Sequence, residues 1–156
     1  MDNSGDSLHG EYVVTPFAKI KDDAIAEVST CISEEMIYEF ARLTADTNPL
    51  HTDPDFGSST PFGQINAQGQ LMASLIVGVI GSHLPGPGWF CLGVNADFVQ
   101  PCFPGEEVVA GVTIKQKIEA LNVIVWDGWL KRKADNTLLV RATIKTKFMY
   151  SKVLLK

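Results

Sequence analysis

The sequence predicts an α+β domain in which one long apolar helix packs against an antiparallel β-sheet. Three observations support this class. One 18-residue segment, residues 67–84, is apolar on almost every side. The segments that follow it are rich in β-branched residues and are separated by turn residues. The last of them alternates between apolar and charged residues, which is typical of a strand with one buried and one solvated face.

The length and composition predict one domain. The chain has 156 residues, of which 46% are hydrophobic and 20% charged, as in a folded globular protein rather than a disordered one. No repeat, low-complexity block or linker divides it. Residues 1–10 are polar and acidic and predict a flexible N-terminal tail, so we assign the domain to residues 11–156.

The N-terminal half begins with a strand and a helix. Residues 24–32 are short, β-branched and partly alternating, which predicts a strand. Ser33 is a suitable N-cap, and the two glutamates after it favour a helix dipole, so a helix is predicted over residues 34–45. The turn-rich residues 46–66 predict a long connection with at most one helical turn, after Pro54. Its two phenylalanines favour a packed functional loop over a disordered one.

The long apolar helix is predicted over residues 67–84, and it requires cover from other structure because it has no polar face. Four strands are predicted after it, over residues 90–99, 108–119, 122–133 and 137–150. The last strand has an apolar face and a basic face, which are Val140, Ala142, Ile144 and Phe148 against Arg141, Lys145 and Lys147. A single central helix wrapped by such a sheet is the hot-dog arrangement.

The charge of the chain is unevenly distributed. The net charge is −5, which combines −10 over residues 1–100 with +5 over residues 101–156. An acidic protein is a poor candidate for general nucleic-acid binding. The basic C-terminal half is compatible with a phosphorylated small molecule or an acidic protein partner, and equally with a solvated face of the sheet.

The sequence lacks the signals of a membrane or secreted protein. Its longest apolar run, residues 71–80, is well short of the about 20 residues that a membrane span needs. The N-terminus has no hydrophobic stretch, and the C-terminus has no peroxisomal tripeptide. Cys31, Cys91 and Cys102 are too widely spaced for a disulfide framework or a zinc site. We therefore expect an intracellular, cytoplasmic protein without a membrane partner.

Residues 44–51 concentrate reactive side chains around a tight turn. Asp46 leaves the predicted helix, Pro49 forces a reversal of the chain, and His51 follows. A carboxylate and an imidazole are the usual groups of general acid–base catalysis. Asn48 can fix the turn or orient a neighbour through hydrogen bonds. Taken without further information, the same residues also fit a turn former and a surface histidine.

The start of the apolar helix, residues 68–70, is the second candidate site. The first N–H groups of a helix have no internal partners and point outward at its positive dipole end. The Gly69 N–H can therefore stabilise a carbonyl oxygen that gains negative charge, and glycine allows that oxygen to approach closely. The alternative is a glycine selected for close packing against the sheet.

No other group of residues in the sequence indicates catalysis. His9 lies in the predicted tail and His83 ends the apolar helix, and neither joins His51 in a metal-ligand spacing. The glycines after the helix lack the lysine of a phosphate-binding loop. No cysteine has a histidine at motif spacing, so a nucleophilic cysteine is not expected. We expect no metal ion and no cofactor.

Residues 40–51, FARLTADTNPLH, resemble the signature of the MaoC-like (R)-specific enoyl-CoA hydratases, also called hydratase 2. The resemblance extends over about residues 24–150, which is most of the chain. Further matching positions are Asp53-Pro54, Phe62, Gly69, Leu71, Ala73-Ser74-Leu75, Leu84-Pro85-Gly86, Leu92-Gly93, Asp97-Phe98 and residues 101–106 (PCFPGE).

The resemblance implies a hot-dog homodimer that adds water syn across the trans-2 double bond of an enoyl-CoA and gives the (R)-3-hydroxyacyl-CoA. It implies that Asp46 and His51 hold and activate one water, that the Gly69 N–H binds the thioester oxygen, and that Asn48 supports the site. The CoA thioester is the substrate, so no cofactor is implied. Because the reaction is reversible, the same site run backwards is a dehydratase.

The sequence departs from the family pattern near the helix start. Gln68 stands where many members have His, Gln70 replaces a common Met, and Ala45 replaces a common Gly before the aspartate. The backbone donor of Gly69 does not depend on these side chains, but the two glutamines can change hydrogen bonding or acyl binding. Val77 occupies a helix position where some relatives carry a small polar residue near the acyl tunnel.

Two alternative functions stay open from the sequence. The enzyme can be a dehydratase for acyl groups tethered to a carrier protein, since the basic run Lys131-Arg132-Lys133 suits either the phosphates of CoA or an acidic carrier. The chain can also be a hot-dog thioesterase, or an acyl-thioester-binding protein without hydratase activity.

Overall fold

A computed structural model describes residues 13–149, so the predicted tail and residues 150–156 lie outside the described part of the chain. The described residues form five strands and four α-helices, with 3₁₀ turns at Phe17–Lys19 and Glu119–Leu121. No helix in this range is long and apolar enough to span a lipid bilayer. In chain order the elements are β1 (Ile25–Cys31), α1 (Glu34–Thr44), α2 (Pro49–Thr52), α3 (Pro54–Ser58), α4 (Gly69–Ser82), β2 (Trp89–Phe98), β3 (Glu107–Ile118), β4 (Val123–Arg132) and β5 (Leu138–Phe148).

The five strands form one antiparallel sheet in the order β1-β3-β4-β5-β2. Each pair of neighbours forms a long ladder, so that Ile25 of β1 lies opposite Thr113, and Phe98 of β2 lies opposite Val140. β1 and β2 are therefore the two edge strands. The predicted α+β class, with one long helix against an antiparallel sheet, is confirmed.

α4 lies across one face of the sheet and closes the core. Its Ile76 packs over Gly128 of β4, where an added Cβ would lie 2.6 Å from the Ile76 Cγ2 atom. The absent side chain thus permits the close approach of helix and sheet. Val140 and Ile144 of β5 are fully buried on the predicted face, and burial of one such side chain stabilises the fold by about 1.5–3 kcal/mol. The buried residues of α4 are Leu71, Met72, Ala73, Ile76, Val79 and Ile80.

The connection between α1 and α4 contains two short helices, where the sequence predicted at most one helical turn. Asn48 and Asp53 are the N-caps of α2 and α3, and their side-chain oxygens accept hydrogen bonds from the next N–H groups along the chain. A proline at the first position of each helix presets a helical φ. The predicted turn is α3. The prediction was wrong for α2 because a one-turn helix shows no apolar period.

α4 is shorter than predicted. It runs from Gly69 to Ser82 instead of over residues 67–84, and His83 is its C-cap. In the single chain the sheet covers one side of the helix, and the other side carries small or polar residues. These exposed residues are Gln70, Ser74, Gly78, Gly81 and Ser82.

Candidate active site

The end of α1 places Asp46 beside the start of α2. Ala45 is the C-cap of α1 in the left-handed conformation (φ 56°), which costs a non-glycine residue about 1–2 kcal/mol. The Asp46 N–H donates to the Ala41 carbonyl oxygen at 3.0 Å. The Asp46 Oδ1 atom in turn accepts a hydrogen bond from the Asn48 N–H at 3.2 Å. The carboxylate is thus held next to the N-terminus of the helix that carries His51.

His51 is oriented by a main-chain carbonyl. Its Nδ1 atom lies 2.8 Å from the Asn66 carbonyl oxygen, which can only accept a hydrogen bond, so Nδ1 carries a proton. Nε2 is therefore the atom that gains or loses a proton when the ring changes charge. The Asn66 N–H donates to the Leu50 carbonyl oxygen at 3.2 Å. These two bonds hold α2 against the segment before α4 and fix the direction of the half-buried ring.

Gly69 begins α4 with an N–H group that is free within the described part of the chain. The first internal hydrogen bond of the helix runs from the Met72 N–H to the Gln68 carbonyl oxygen at 3.1 Å. No group among residues 13–149 accepts the Gly69 N–H. The N–H lies at the positive end of the helix dipole, where an oxygen with developing negative charge is stabilised.

His51 and Gly69 line the same cleft, which has a volume of about 320 Å³. This volume lies at the lower end of the range for small-molecule sites. A proton-exchanging imidazole and a free N–H donor in one largely apolar cleft can activate a water beside an acyl oxygen. The remaining lining residues are Phe62, Asn66, Ala67, Met72, Phe98, Val99, Gln100 and Pro101.

Two larger clefts, of about 460 Å³ each, lie elsewhere on the described surface. One follows β2 and β5, and Lys145 is its one charged side chain. The other lies beside Glu39 and Arg42 of α1, which form an exposed ion pair at 3.2 Å. Neither lining contains a histidine. A further cleft, of about 260 Å³, contains His83 but does not lie at the start of α4. We assign the candidate active site to the cleft of about 320 Å³, because it combines His51 with the free Gly69 N–H.

The other predicted site residues lie outside the lining of this cleft. Asp46 and Asn48 lie at the N-terminal end of α2. Gln70 is exposed on the first turn of α4, and Val77 is half-buried two turns further along the helix. The structure therefore brings together the histidine and the glycine, and the roles of these four residues stay predictions.

Gln68 is buried and connects two helices. Its side chain is 3% exposed, and its Nε2 donates to the Ile37 carbonyl oxygen of α1 at 3.0 Å. Its Oε1 is buried and has no hydrogen-bond partner among the described residues. Such an unpaired acceptor costs about 1–3 kcal/mol. Gln68, which directly precedes Gly69, thus connects the start of α4 to α1, the helix that leads to Asp46.

The segment after β2 borders the cleft and is held by an ion pair that the sequence did not predict. The Arg132 Nε atom lies 2.9 Å from the Glu106 Oε1 atom, and Arg132 Nη2 donates to the Pro101 carbonyl oxygen at 3.3 Å. Cys102 is buried beside this pair, and its burial and its hydrogen bond with Glu106 raise the pKa of the thiol to about 12. Cys102 is therefore a protonated thiol with a packing role and not a nucleophile.

The basic run Lys131-Arg132-Lys133, which from the sequence suits a phosphate or an acidic carrier protein, already has partners within the chain. Arg132 is held by Glu106, as described above. Lys133 pairs with Glu107 at 2.9 Å. Lys131 lies over the Trp129 ring, 5.6 Å from its centroid. These partners are distant in sequence or on the same strand, so charge counting along the chain could not identify them.

Known proteins are similar to this chain in both sequence and fold. A family model described as a MaoC like domain matches residues 16–128. An (R)-specific enoyl-CoA hydratase of Rhodospirillum rubrum is 40% identical over 98 residues, which are 63% of this chain and 68% of that protein. An (R)-specific enoyl-CoA hydratase of Aeromonas caviae is 40% identical over 89 residues, 57% of this chain and 66% of that protein. The matched region therefore spans about two thirds of each relative.

The fold is similar to that of a solved relative over most of the chain. The structure of an (R)-hydratase from A. caviae involved in PHA biosynthesis superposes with a TM-score of 0.79 at 31% sequence identity. The superposition covers 83% of this chain and 98% of that chain.

Proposed function

The chain belongs to the MaoC-like domain family, and from this premise we propose that it is an enoyl-thioester hydratase and 3-hydroxyacyl dehydratase. It adds water to the trans-2 double bond of an enoyl-CoA to give the (R)-3-hydroxyacyl-CoA, and it catalyses the reverse dehydration. Two similar proteins are (R)-specific enoyl-CoA hydratases by name. The observation that carries the proposal is that His51, with its Nδ1 fixed by a carbonyl, shares one apolar cleft with the free Gly69 N–H.

The reaction needs a base for the water, a proton for C2 and a donor for the thioester oxygen. Asp46 and His51 hold one water, and one of them takes its proton as the water oxygen bonds to C3. The π electrons of the double bond move toward C2 and the thioester oxygen, which the Gly69 N–H stabilises. The other side chain, which begins protonated, delivers a proton to C2, and exchange with solvent restores the pair. One such oxyanion donor typically contributes about 10²–10³ in rate.

The supporting residues act through position. Asn48 holds Asp46 through its N–H and caps α2 through its side chain, so it fixes both acid–base groups. Gln68 fixes the start of α4, and we assign Gln70 and Val77 to the surroundings of the acyl group. Both protons come from water and the CoA thioester is the substrate, so the proposed reaction requires no cofactor. The free thiols fit a reducing, cytoplasmic compartment.

We further propose that the enzyme is a homodimer formed through β2. Among residues 13–149 this edge strand pairs only with β5, so its other side offers N–H and C=O groups that no described strand pairs with. A second copy that pairs with this edge continues the sheet and buries the apolar side chains that the single chain leaves about half exposed. These side chains are Phe90, Leu92 and Val94.

CoA is favoured over an acidic carrier protein as the group that bears the acyl chain. Two similar proteins, each 40% identical to this chain, are enoyl-CoA hydratases by name. The two substrates are compared directly by measuring kcat/KM for the same acyl group on CoA and on a carrier protein. A higher kcat/KM with the carrier would reverse this preference.

Hydration of crotonyl-CoA tests the proposed activity. We expect the ultraviolet absorption of the enoyl thioester to fall without release of free CoA thiol, and chiral analysis to give the (R)-3-hydroxybutyryl product. Thiol release that keeps pace with the loss of absorption identifies a thioesterase instead. Affinity for acyl-CoA without either change identifies a binding protein. Both of these results contradict the hydratase proposal.

A further inference from the structure

We propose that Phe98 is a substrate-contacting residue that limits which acyl groups reach the Gly69 N–H, and this proposal rests on the hydratase function proposed above. Phe98 is the last residue of β2, and it lines the cleft that contains His51 and Gly69. Four features of the structure support this role: the orientation of the ring, the way it is held, its free face and the size of the cleft.

The Phe98 ring lies face-on against Gly69. A Cβ atom added at Gly69 would lie 3.0 Å from each of three carbons of this ring, Cε1, Cε2 and Cζ. A point equidistant from three carbons of a six-membered ring lies on the axis through the centre of the ring. The ring therefore covers the Cα atom of Gly69 with its face, and a side chain at position 69 requires the ring to move.

Main-chain hydrogen bonds hold both sides of this contact. On one side, the Val99 N–H donates to the Leu139 carbonyl oxygen of β5 at 2.8 Å, directly after Phe98. On the other side, the Ala67 N–H donates to the Cys102 carbonyl oxygen at 2.8 Å, which joins the segment before α4 to the segment after β2. The distance between the ring and the helix start is thus set by the backbone.

The other face of the ring is available to a substrate. Phe98 is 47% exposed in the single chain. A thioester oxygen bonded to the Gly69 N–H brings the enoyl group beside the ring, because the ring covers the same residue. The planar conjugated group can lie against the aromatic face. In a cleft of about 320 Å³, the ring leaves room for a short unbranched acyl group and occupies space that a longer chain needs.

The acyl-chain preference of Phe98→Ala and Phe98→Leu tests this role. We compare kcat/KM for crotonyl-, hexenoyl- and octenoyl-CoA, and we expect the wild type to prefer crotonyl-CoA. Phe98→Ala is expected to raise the octenoyl-to-crotonyl ratio by about tenfold or more, a size typical of a change in an apolar pocket, with Phe98→Leu between the two. Phe56→Ala is the matched control, because Phe56 is similarly exposed (45%) and lies outside the cleft.

Binding measurements separate this role from the hydratase function. Affinities for the saturated butyryl-CoA and octanoyl-CoA, measured by calorimetry, need no turnover, and Phe98→Ala is expected to shift their ratio toward octanoyl-CoA. An unchanged ratio in both Phe98 variants overturns the proposal. A wild type that binds acyl-CoA but does not hydrate crotonyl-CoA overturns the hydratase function, and the binding ratio still decides the role of Phe98. A wild type that binds no acyl-CoA overturns both.

A double-variant cycle tests the contact between the ring and the glycine. Gly69→Ala keeps the main-chain N–H, so the donor is retained and only the added Cβ displaces the ring. We expect about a tenfold loss of crotonyl-CoA hydration in this variant, and a much smaller loss when Phe98→Ala is already present, because contacting residues are coupled. Equal losses in both backgrounds overturn the proposal. The proposal is also overturned if the acyl-chain preference changes only in variants whose molecular mass in solution differs from that of the wild type.

Discussion

The Nδ1 atom of His51 lies 2.8 Å from the Asn66 carbonyl oxygen, and the Asp46 carboxylate accepts a hydrogen bond from the Asn48 N–H at 3.2 Å. Both proposed acid–base groups are therefore positioned by main-chain groups and not by each other. A main-chain partner persists when a neighbouring side chain is replaced. Substitution of one group is thus expected to leave the other in place and to affect the rate more than the fold.

We predict that Asp46→Asn and His51→Ala each lower kcat for crotonyl-CoA hydration by at least ~10²-fold. The free energy of unfolding is expected to change by less than about 1 kcal/mol, since both side chains are only half-buried. His83→Ala serves as the control, because His83 is exposed at the end of α4 and lies outside the cleft. Initial rates and denaturant unfolding give the two quantities. Near-normal rates in both variants would reject the proposed roles.

A second prediction at this scale concerns Cys102. Its burial and its contact with Glu106 raise the pKa of the thiol from about 9 to about 12 in the folded chain. Because the pKa is higher in the folded chain, the protonated thiol stabilises the fold. This contribution is fully present below about pH 9, the pKa of the thiol in the unfolded chain, and it is lost as the pH rises toward about 12. We expect the free energy of unfolding to fall over this range, and to fall less steeply in Cys102→Ala.

Urea unfolding of both proteins across the alkaline range measures this effect. Every other ionisable group is present in both proteins, so the difference between the two curves isolates the thiol. At neutral pH, a thiol-alkylating reagent is expected to modify Cys31 and Cys91, which are exposed, and to reach Cys102 only when the chain unfolds. Parallel stability curves, or rapid labelling of all three thiols, would contradict the burial and charge assigned to Cys102.

At the scale of elements, the sequence predicts those parts of the fold that repeat a local pattern. β5 follows from its alternation of apolar and charged residues, and α4 follows from a long apolar segment without a polar face. α2 is too short to show a period, although its Asn-Pro start is a capping signal. Gly69 could be proposed from its place at a helix start. The Phe98 ring over it could not be predicted, because their approach depends on how β2 and α4 pack together.

Gln68 provides the prediction that belongs to this scale, since its side chain joins α4 to α1. Gln68→Met removes both the hydrogen bond to Ile37 and the unpaired Oε1, so we expect a small net change in stability, within about 1 kcal/mol. α1, which leads to Asp46, and α4, which begins at Gly69, lose the hydrogen bond between them, so kcat is expected to fall about tenfold while KM changes little.

Steady-state kinetics and thermal unfolding of a small set of variants measure this separation. Gln68→His keeps a donor near the Ile37 carbonyl oxygen, and we expect it to recover most of kcat. Gln116→Met is the control, since Gln116 is exposed on β3 and lies outside the cleft. If Gln68→Met lowers stability but leaves kcat unchanged, the residue has only a packing role.

At the scale of the whole molecule, the uneven charge of the sequence maps onto the sheet. β3, β4 and β5 come from the basic C-terminal part of the chain and form its centre, while β1 and β2 come from the acidic part and form its edges. Free edges in monomeric proteins are commonly protected by charged residues, especially lysine. β2, with the sequence WFCLGVNADF, contains one charged residue, Asp97. This edge is thus unprotected, which is what a strand that pairs with another copy requires.

The last prediction tests this edge. Leu92 is 51% exposed on β2, and Leu92→Lys places a charge where the proposed dimer buries an apolar side chain. We expect the wild type to sediment as a dimer and Leu92→Lys as a folded monomer with unchanged far-ultraviolet circular dichroism. Leu43→Lys is the matched control, because Leu43 is also a large exposed side chain (83%) but lies on α1, and it is expected to stay dimeric. A monomeric wild type, or a Leu92→Lys variant that remains a dimer, would show that β2 is not the contact between subunits.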